Sequence, residues 1–228
     1  MAAWTVGALV LHGTGWNGGA VLAAFFISSN LVSRLGPQRA LVQLDPKSDR
    51  RDIWQVFANG GAAAAGAVAA PGELGLWLVT ATLAAAAADT WATSLGTRSG
   101  MAPRLLGFGR SVPPGTSGGM TLLGSAGAAI GALIVSGTGA LVSGTLAIFP
   151  AGISIGFAGM VVDSVLGAVL QGRFHCQTCD EASEWGVHRC GRPTVLRGGL
   201  RWLDNDMVNF LATAFAAGAA LLSWRWLD

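Results

Sequence analysis

The chain has 228 residues, of which 52% are hydrophobic and only 11% charged, against about 25% charged in an ordinary soluble domain. Residues 1–33, 53–72 and 207–224 carry no Asp, Glu, Lys or Arg, and residues 111–172 carry one, Asp163. A soluble enzyme of this size needs charge on the outer face of nearly every element, so the pattern excludes one and points to an all-α polytopic membrane protein.

The net charge of +2 gives no reason to expect a nucleic-acid partner. The three cysteines all fall between 176 and 190, and their odd number does not suit a secreted disulfide framework. Residues 1–11 lack the basic flank and cleavage site of a signal peptide. Glycine, at 34 residues, is about twice its usual share of roughly 7% and follows no collagen period. Such a content suits close helix packing in lipid.

In chain order, the first eleven residues are apolar but short. They fit a half-helix, an interfacial segment or one arm of a hairpin. Apolar runs follow at 16–35, 56–70, 76–95, 120–135, 141–170 and 207–224. Each is near the roughly 20 residues that cross a bilayer, except the fifth, which is too long. Basic residues concentrate in three loops, 34–55, 96–115 and 171–206, while the connections near Glu73 and Gly137 hold no Lys or Arg. The positive-inside rule puts all three basic loops in the cytoplasm. An even number of crossings must then separate them, so 141–170 crosses once. Pro150, Gly152, Gly156 and Gly159 can break it, leaving a trailing helical piece with Asp163 near the cytoplasmic surface. The expected architecture is a single domain over 1–228 with six to seven spans, some broken, and the loop 171–206 inserted before the last. The expected location is the plasma membrane of a prokaryote, with membrane lipids around it and the site facing the cytoplasm. Trp16, Trp54, Trp77, Trp202, Trp224 and Trp226 fall at span ends, where an indole N–H stays wet. Gly127 and Gly131 form a close-approach face.

The polar residues inside apolar runs are the informative exceptions. Asn59 follows Arg51 and Gln55 at i+8 and i+4, a polar stripe entering the membrane. Asp89 shares a helix face with Thr93, and its cost in lipid favours a metal or proton site. Asp163, Gly167 and Gln171 form a second stripe, on which the glycine leaves room for a ligand or another backbone. Two lone carboxylates, each followed by a small hydroxyl residue, suggest a shared divalent-metal site, Mg²⁺ by preference. The loop from Gly109 to Met120 contains Gly115, Thr116, Ser117, Gly118 and Gly119. Thr116 or Ser117 can cap the following helix, and free N–H groups there can cradle an anion, with Arg104 and Arg110 upstream. No Gly-Lys-Ser/Thr follows, so it is not a Walker A loop. Asp204, Asn205, Asp206 and Asn209 open the last span, as caps or as part of a polar site. Cys176, Cys179, His188 and Cys190 offer ligands for a structural Zn²⁺, or are reduced thiols.

Five stretches carry a resemblance: Gln55-Val-Phe-Ala-Asn-Gly-Gly61, Ala88-Asp-Thr-Trp-Ala-Thr-Ser-Leu-Gly96, Pro114-Gly-Thr-Ser-Gly-Gly-Met-Thr121, Asp163-Ser-Val-Leu-Gly-Ala-Val-Leu-Gln171 and Leu203-Asp-Asn-Asp-Met-Val-Asn-Phe210. In this order they resemble the membrane family of transmembrane protein 19 and the plant phytyl-phosphate kinases, from about residue 16 to the end. The resemblance implies an all-helical membrane protein, more distantly related to dolichol and phytol kinases and to phosphatidate cytidylyltransferases. In the plant members it implies Mg²⁺-dependent phosphorylation of an isoprenoid monophosphate to the diphosphate, with CTP or ATP as donor. On that footing Asp89 and Asp163 are assigned to metal, Gly115 to Gly119 to nucleotide phosphates with Arg110, and Arg51 with Asn59 to the acceptor phosphate. Asp204, Asn205, Asp206 and Asn209 complete the cavity. Cytidylyl transfer to a lipid phosphate and small-molecule or ion transport are the alternatives. The oligomeric state is not readable from the sequence.

Overall fold

The computed structural model describes residues 1–35, 53–106 and 109–227, which form six α-helices and a little β-structure. The helices are α1 (Ala2–Leu35), α2 (Ile53–Ala69), α3 (Glu73–Gly96), α4 (Leu122–Ser143), α5 (Ile148–Val169) and α6 (Asn205–Ser223). The all-helical membrane architecture expected from composition is what the chain adopts. Five helical stretches among the described residues are long and apolar enough to cross a membrane. The remaining helix, α2, has 17 residues, about 25 Å of rise.

Helix α3 is the axis of the bundle. It touches all five other helices and is buried without interruption from Gly75 to Ala88. Its alanine run, Ala84–Ala88, has almost no side chain to hold neighbours away. The neighbours answer with glycine: a Cβ added at Gly131 of α4 would lie 2.7 Å from the Ala87 carbonyl oxygen, and one at Gly159 of α5 would lie 2.6 Å from Ala85 Cβ. Lipid gives helices no hydrophobic reason to associate, so backbone approach and dispersion must hold them together. Large apolar side chains such as Phe26, Leu133, Leu141 and Leu222 point outward instead, as a bilayer solvent permits.

The N-terminal segment is a hairpin arm. Gly15 interrupts α1 with φ 62 and ψ −155, a backbone region open mainly to glycine. Beyond it the chain reverses. A Cβ on Gly7 would lie 3.9 Å from Leu22 Cδ2, whereas residues 15 apart in a straight helix are separated by about 22 Å. The short arm packs on α2, where Gly13 abuts the Ala67 carbonyl.

Two expectations need correction. The fourth span does not stop at 135 but runs on to Ser143, where Gly144 ends α4 in the left-handed conformation. The overlong run 141–170 is therefore the tail of α4, a turn, and one continuous α5. Of this run, one unbroken helix is long and apolar enough to cross, and Pro150, Gly152, Gly156 and Gly159 do not break it. Pro150 sits in the first turn, where its missing N–H is harmless, and the glycines are packing contacts. Asp163 thus lies within the crossing helix, not in a trailing piece. Trp77, in turn, is fully buried and not interfacial. Its Nε1–H donates to the Ala220 carbonyl at 2.8 Å, tying α3 to α6. Trp16, Trp54, Trp202 and Trp226 are exposed as expected.

The turns at Gly15, Gly72 and Gly144 gather with Trp224 and Leu227 at one end of the bundle. The described flanks of the three basic loops meet at the other.

Candidate functional site

At that other end the tips of all six helices surround a cavity of about 380 Å³. Asn59 from α2, Asp89 from α3, Gly115 to Gly119 from the α3–α4 loop, Asp163 from α5, and Asn205 and Asn209 from α6 all line it. Residues scattered over 150 positions of sequence therefore share one space. Arg51 lies outside the described residues.

The two aspartates line one cavity from helices that pack together, α3 and α5. Each is half-buried. Asp163 Oδ2 is fully buried with no hydrogen-bond partner among the described residues. An unpartnered buried carboxylate oxygen is costly, and a second carboxylate nearby adds repulsion. Among the described lining residues are three carboxylates, Asp89, Asp163 and Glu184, and no Lys, Arg or His. Hard oxygen donors in a negatively charged, hydroxyl-rich cavity fit Mg²⁺ or a similar cation.

The glycine-rich loop lies flat against α5. Strands β1 (Arg104–Leu105) and β2 (Gly119–Met120) pair antiparallel and close its base. Gly118 has φ +78, and a Cβ there would lie 2.5 Å from both the Ser164 carbonyl oxygen and the Ala168 nitrogen. Gly167 approaches the loop as closely, its added Cβ falling 3.1 Å from the Gly118 nitrogen. The space that Gly167 leaves is thus filled by backbone, which puts the loop one turn from Asp163.

Several assignments change. Thr121 caps α4, accepting from the Gly124 N–H at 3.0 Å. Thr116 instead donates to the Pro113 carbonyl at 2.8 Å. The loop ends in a β-bridge before the helix starts, so neither Thr116 nor Ser117 can cap it. Arg110 is exposed and does not line the cavity; its carbonyl accepts from the Leu105 N–H. Asp204 is the N-cap of α6, accepting from the Met207 N–H at 3.0 Å, and Asp206 is buried off the lining. Of these four polar residues the two aspartates belong to the helix start and the two asparagines to the cavity lining.

Glu184 was not anticipated. The stretch read as a loop, 171–206, contains an antiparallel sheet of β3 (Arg173–Cys176), β4 (Glu181–Ser183) and β5 (Val195–Gly198) in the order β4-β3-β5. Glu184 follows β4 directly, lines the cavity, and accepts from Ser117 Oγ at 2.6 Å. Nothing local marks this glutamate among the other charges of its segment. Away from the cavity, the ligand atoms of Cys176, Cys179, His188 and Cys190 lie within 4.8 Å of one another. Burial works against a Cys176 thiolate, but N–H groups of Cys179 and Thr178 and the adjacent thiols outweigh it and hold Cys176 below the usual thiol range. Cys179 is pushed up to about 11, chiefly by its hydrogen bond with Cys190.

A family model described as integral membrane protein DUF92 matches residues 1–217. Protein PGR of Arabidopsis thaliana is 30% identical over 249 residues, covering 93% of this chain and 84% of its own length. An uncharacterized membrane protein of Methanocaldococcus jannaschii is 31% identical over 170 residues, covering 73% of this chain and 70% of its own. One from Synechocystis sp. is 28% identical over 236 residues, covering 96% and 78%. No solved structure matches.

Proposed function

The chain belongs to the integral membrane protein family DUF92, and from that premise we propose that it is a membrane-embedded phosphotransferase, moving a phosphoryl group from CTP or ATP to an isoprenoid monophosphate such as a phytyl phosphate. The observation that carries this reading is the cavity itself, in which two carboxylates and a glycine-rich loop converge beside the polar faces of α2 and α6.

The chemistry needs little acid–base help. A monophosphate ester is largely dianionic near neutral pH, its second pKa being about 6. One of its oxygens attacks the γ-phosphorus, the bond from that phosphorus to the β–γ bridging oxygen breaks, and the nucleoside diphosphate leaves. Alignment and charge neutralisation dominate such a transfer. Asp89 and Asp163 would hold Mg²⁺, which when bound supplies neutralising charge on the phosphates. The N–H groups from Gly115 to Gly119 would cradle the donor phosphates. Asn59, with Arg51, would position the acceptor phosphate; Asn59 Nδ2 now donates to its own helix at the Gln55 carbonyl, 2.9 Å away. On the same two turns of α2, Ile53, Trp54 and Phe57 are exposed. A lipid-borne acceptor could lie along them with its phosphate turned inward. The basic loops favour a cytoplasmic site, where the nucleotides are, in the plasma membrane of a prokaryotic cell.

Incubating the purified protein with Mg²⁺, labelled CTP or ATP, and a panel of prenyl phosphates and prenols tests the proposal. Prenyl diphosphate and nucleoside diphosphate are expected from a prenyl phosphate. Release of pyrophosphate would point to cytidylyl transfer instead. No product with any acceptor, or undiminished turnover in Asp89→Asn and Asp163→Asn, would overturn it.

A further inference from the structure

We propose that Cys176, Cys179, His188 and Cys190 bind one structural zinc ion, and that this ion fixes the small sheet so that Glu184 reaches Ser117. The four ligand atoms lie within 4.8 Å of one another, and Cys176 Sγ is 3.7 Å from Cys190 Sγ. A tetrahedral zinc site with metal–sulfur distances of about 2.3 Å has sulfur–sulfur edges of roughly 3.7–3.8 Å. His188 Nδ1 faces inward, 3.1 Å from Cys190 Sγ.

The surroundings of His188 point the same way. Its other ring nitrogen, Nε2, lies 3.2 Å from Glu181 Oε2, and the same oxygen accepts from Arg189 Nη2 at 2.6 Å. A metal-bound histidine characteristically donates its second N–H to a carboxylate, which fixes the ring and its tautomer. Each half of the cluster is followed by a left-handed residue, Asp180 with φ 55 and Gly191 with φ 80. These turns fold the chain back around the ligands. Three thiols and a histidine suit zinc better than an iron–sulfur cluster, which is usually held by four cysteines.

The sheet needs such a clip. Its strands have three or four residues each, and Phe174 and Cys176 are its buried apolar side chains. So small a core does not hold a fold by itself, and metal binding then contributes to folding directly. Cys176 pairs with Glu181 and Phe174 with Ser183 across β3 and β4. A metal spanning Cys176 and Cys179 therefore closes the hairpin whose second strand delivers Glu184.

Elemental analysis of the full-length protein in detergent should find about one zinc per chain, with loss in Cys176→Ser and Cys190→Ser. Cobalt reconstitution should give the absorption of a tetrahedral thiolate site. Glu181→Gln keeps every ligand and should lower zinc affinity at least about tenfold in chelator competition. Stripping the metal should speed tryptic cleavage at Arg189 and Arg197. No metal above background, or full zinc in both cysteine variants, would overturn the site. Cleavage unchanged by stripping would overturn its role in holding the sheet. None of these readouts needs a lipid or a nucleotide, so they stand apart from the phosphotransferase proposal.

Discussion

Ser117 of the glycine-rich loop donates a 2.6 Å hydrogen bond to Glu184, 67 residues further along the chain. A hydroxyl bonded to a carboxylate makes a short, strong link, and here it fastens the proposed phosphate cradle to the sheet. Hydrogen bonds to charged groups contribute about 1.5–3 kcal/mol. Glu184→Ala should therefore raise the KM for the nucleotide about tenfold or more, with a smaller change in kcat, in steady-state kinetics. Glu184→Gln keeps an acceptor and should lose less. Ser117→Ala combined with Glu184→Ala should cost little more than either alone, because each removes the same bond. Additive losses would show that the two residues act separately.

Asp89 and Asp163 line the same cavity, and Asp163 Oδ2 has no hydrogen-bond partner among the described residues. Mg²⁺ should accordingly raise the thermal unfolding midpoint in detergent, since a ligand that binds only the folded state stabilises it. Asp163→Asn should abolish that shift and lower turnover at least about 100-fold, the scale at which loss of a transition-state charge contact is felt. Without Mg²⁺ the same variant should be as stable as the parent protein or more so, because it removes a buried, repelled charge. Destabilisation of the metal-free variant would mean that Asp163 is held by contacts within the protein.

The site was more readable than the fold around it, for a physical reason. Asn59, Asp89 and Asp163 are costly in lipid, so each stood out against its apolar run and each lines the cavity. Helix limits lack that contrast. The residues from Gly137 to Ser143 carry no charge, like the spans on either side, and the left-handed Gly144 marks the end of α4. The reversal at Gly15 likewise leaves no charge to read. Trp77 misled because an indole near a span end is interfacial only when water is its best partner, and here the Ala220 carbonyl is closer to hand. Glu184 was hidden by the opposite condition, one carboxylate among the charges of a polar segment, brought to the site by strand pairing alone.

Trp77→Phe separates stability from chemistry. The indole is fully buried, and its hydrogen bond to the Ala220 carbonyl joins α3 to α6 at the end away from the cavity. The Ala220 carbonyl keeps the Ser223 hydroxyl as a donor at 3.0 Å, so the loss is that of one hydrogen bond, about 0.5–1.5 kcal/mol. The thermal midpoint should fall by about 1–6 °C, while turnover per folded molecule stays near that of the parent. A selective loss of kcat with unchanged stability would show that this end of the bundle is coupled to the site.

Gly118→Ala tests whether the loop must lie flat on α5. The backbone there has φ +78, and the added methyl would meet the Ser164 carbonyl and the Ala168 nitrogen at 2.5 Å. Both obstacles are main chain of a packed helix and cannot rotate away. The left-handed strain alone costs about 1–3 kcal/mol, and the clash adds to it. The loop should lift from α5, breaking the register that sets its N–H groups one turn from Asp163. Activity should fall by more than in Ser117→Ala. Gly144→Ala is the control, because Gly144 has a similar φ of +73 but nothing within 4 Å of an added Cβ. That variant should lose a similar strain energy, about 1–3 kcal/mol of stability, and keep its activity. Equal losses of activity in the two would show that strain, and not the seating of the loop against α5, governs the site.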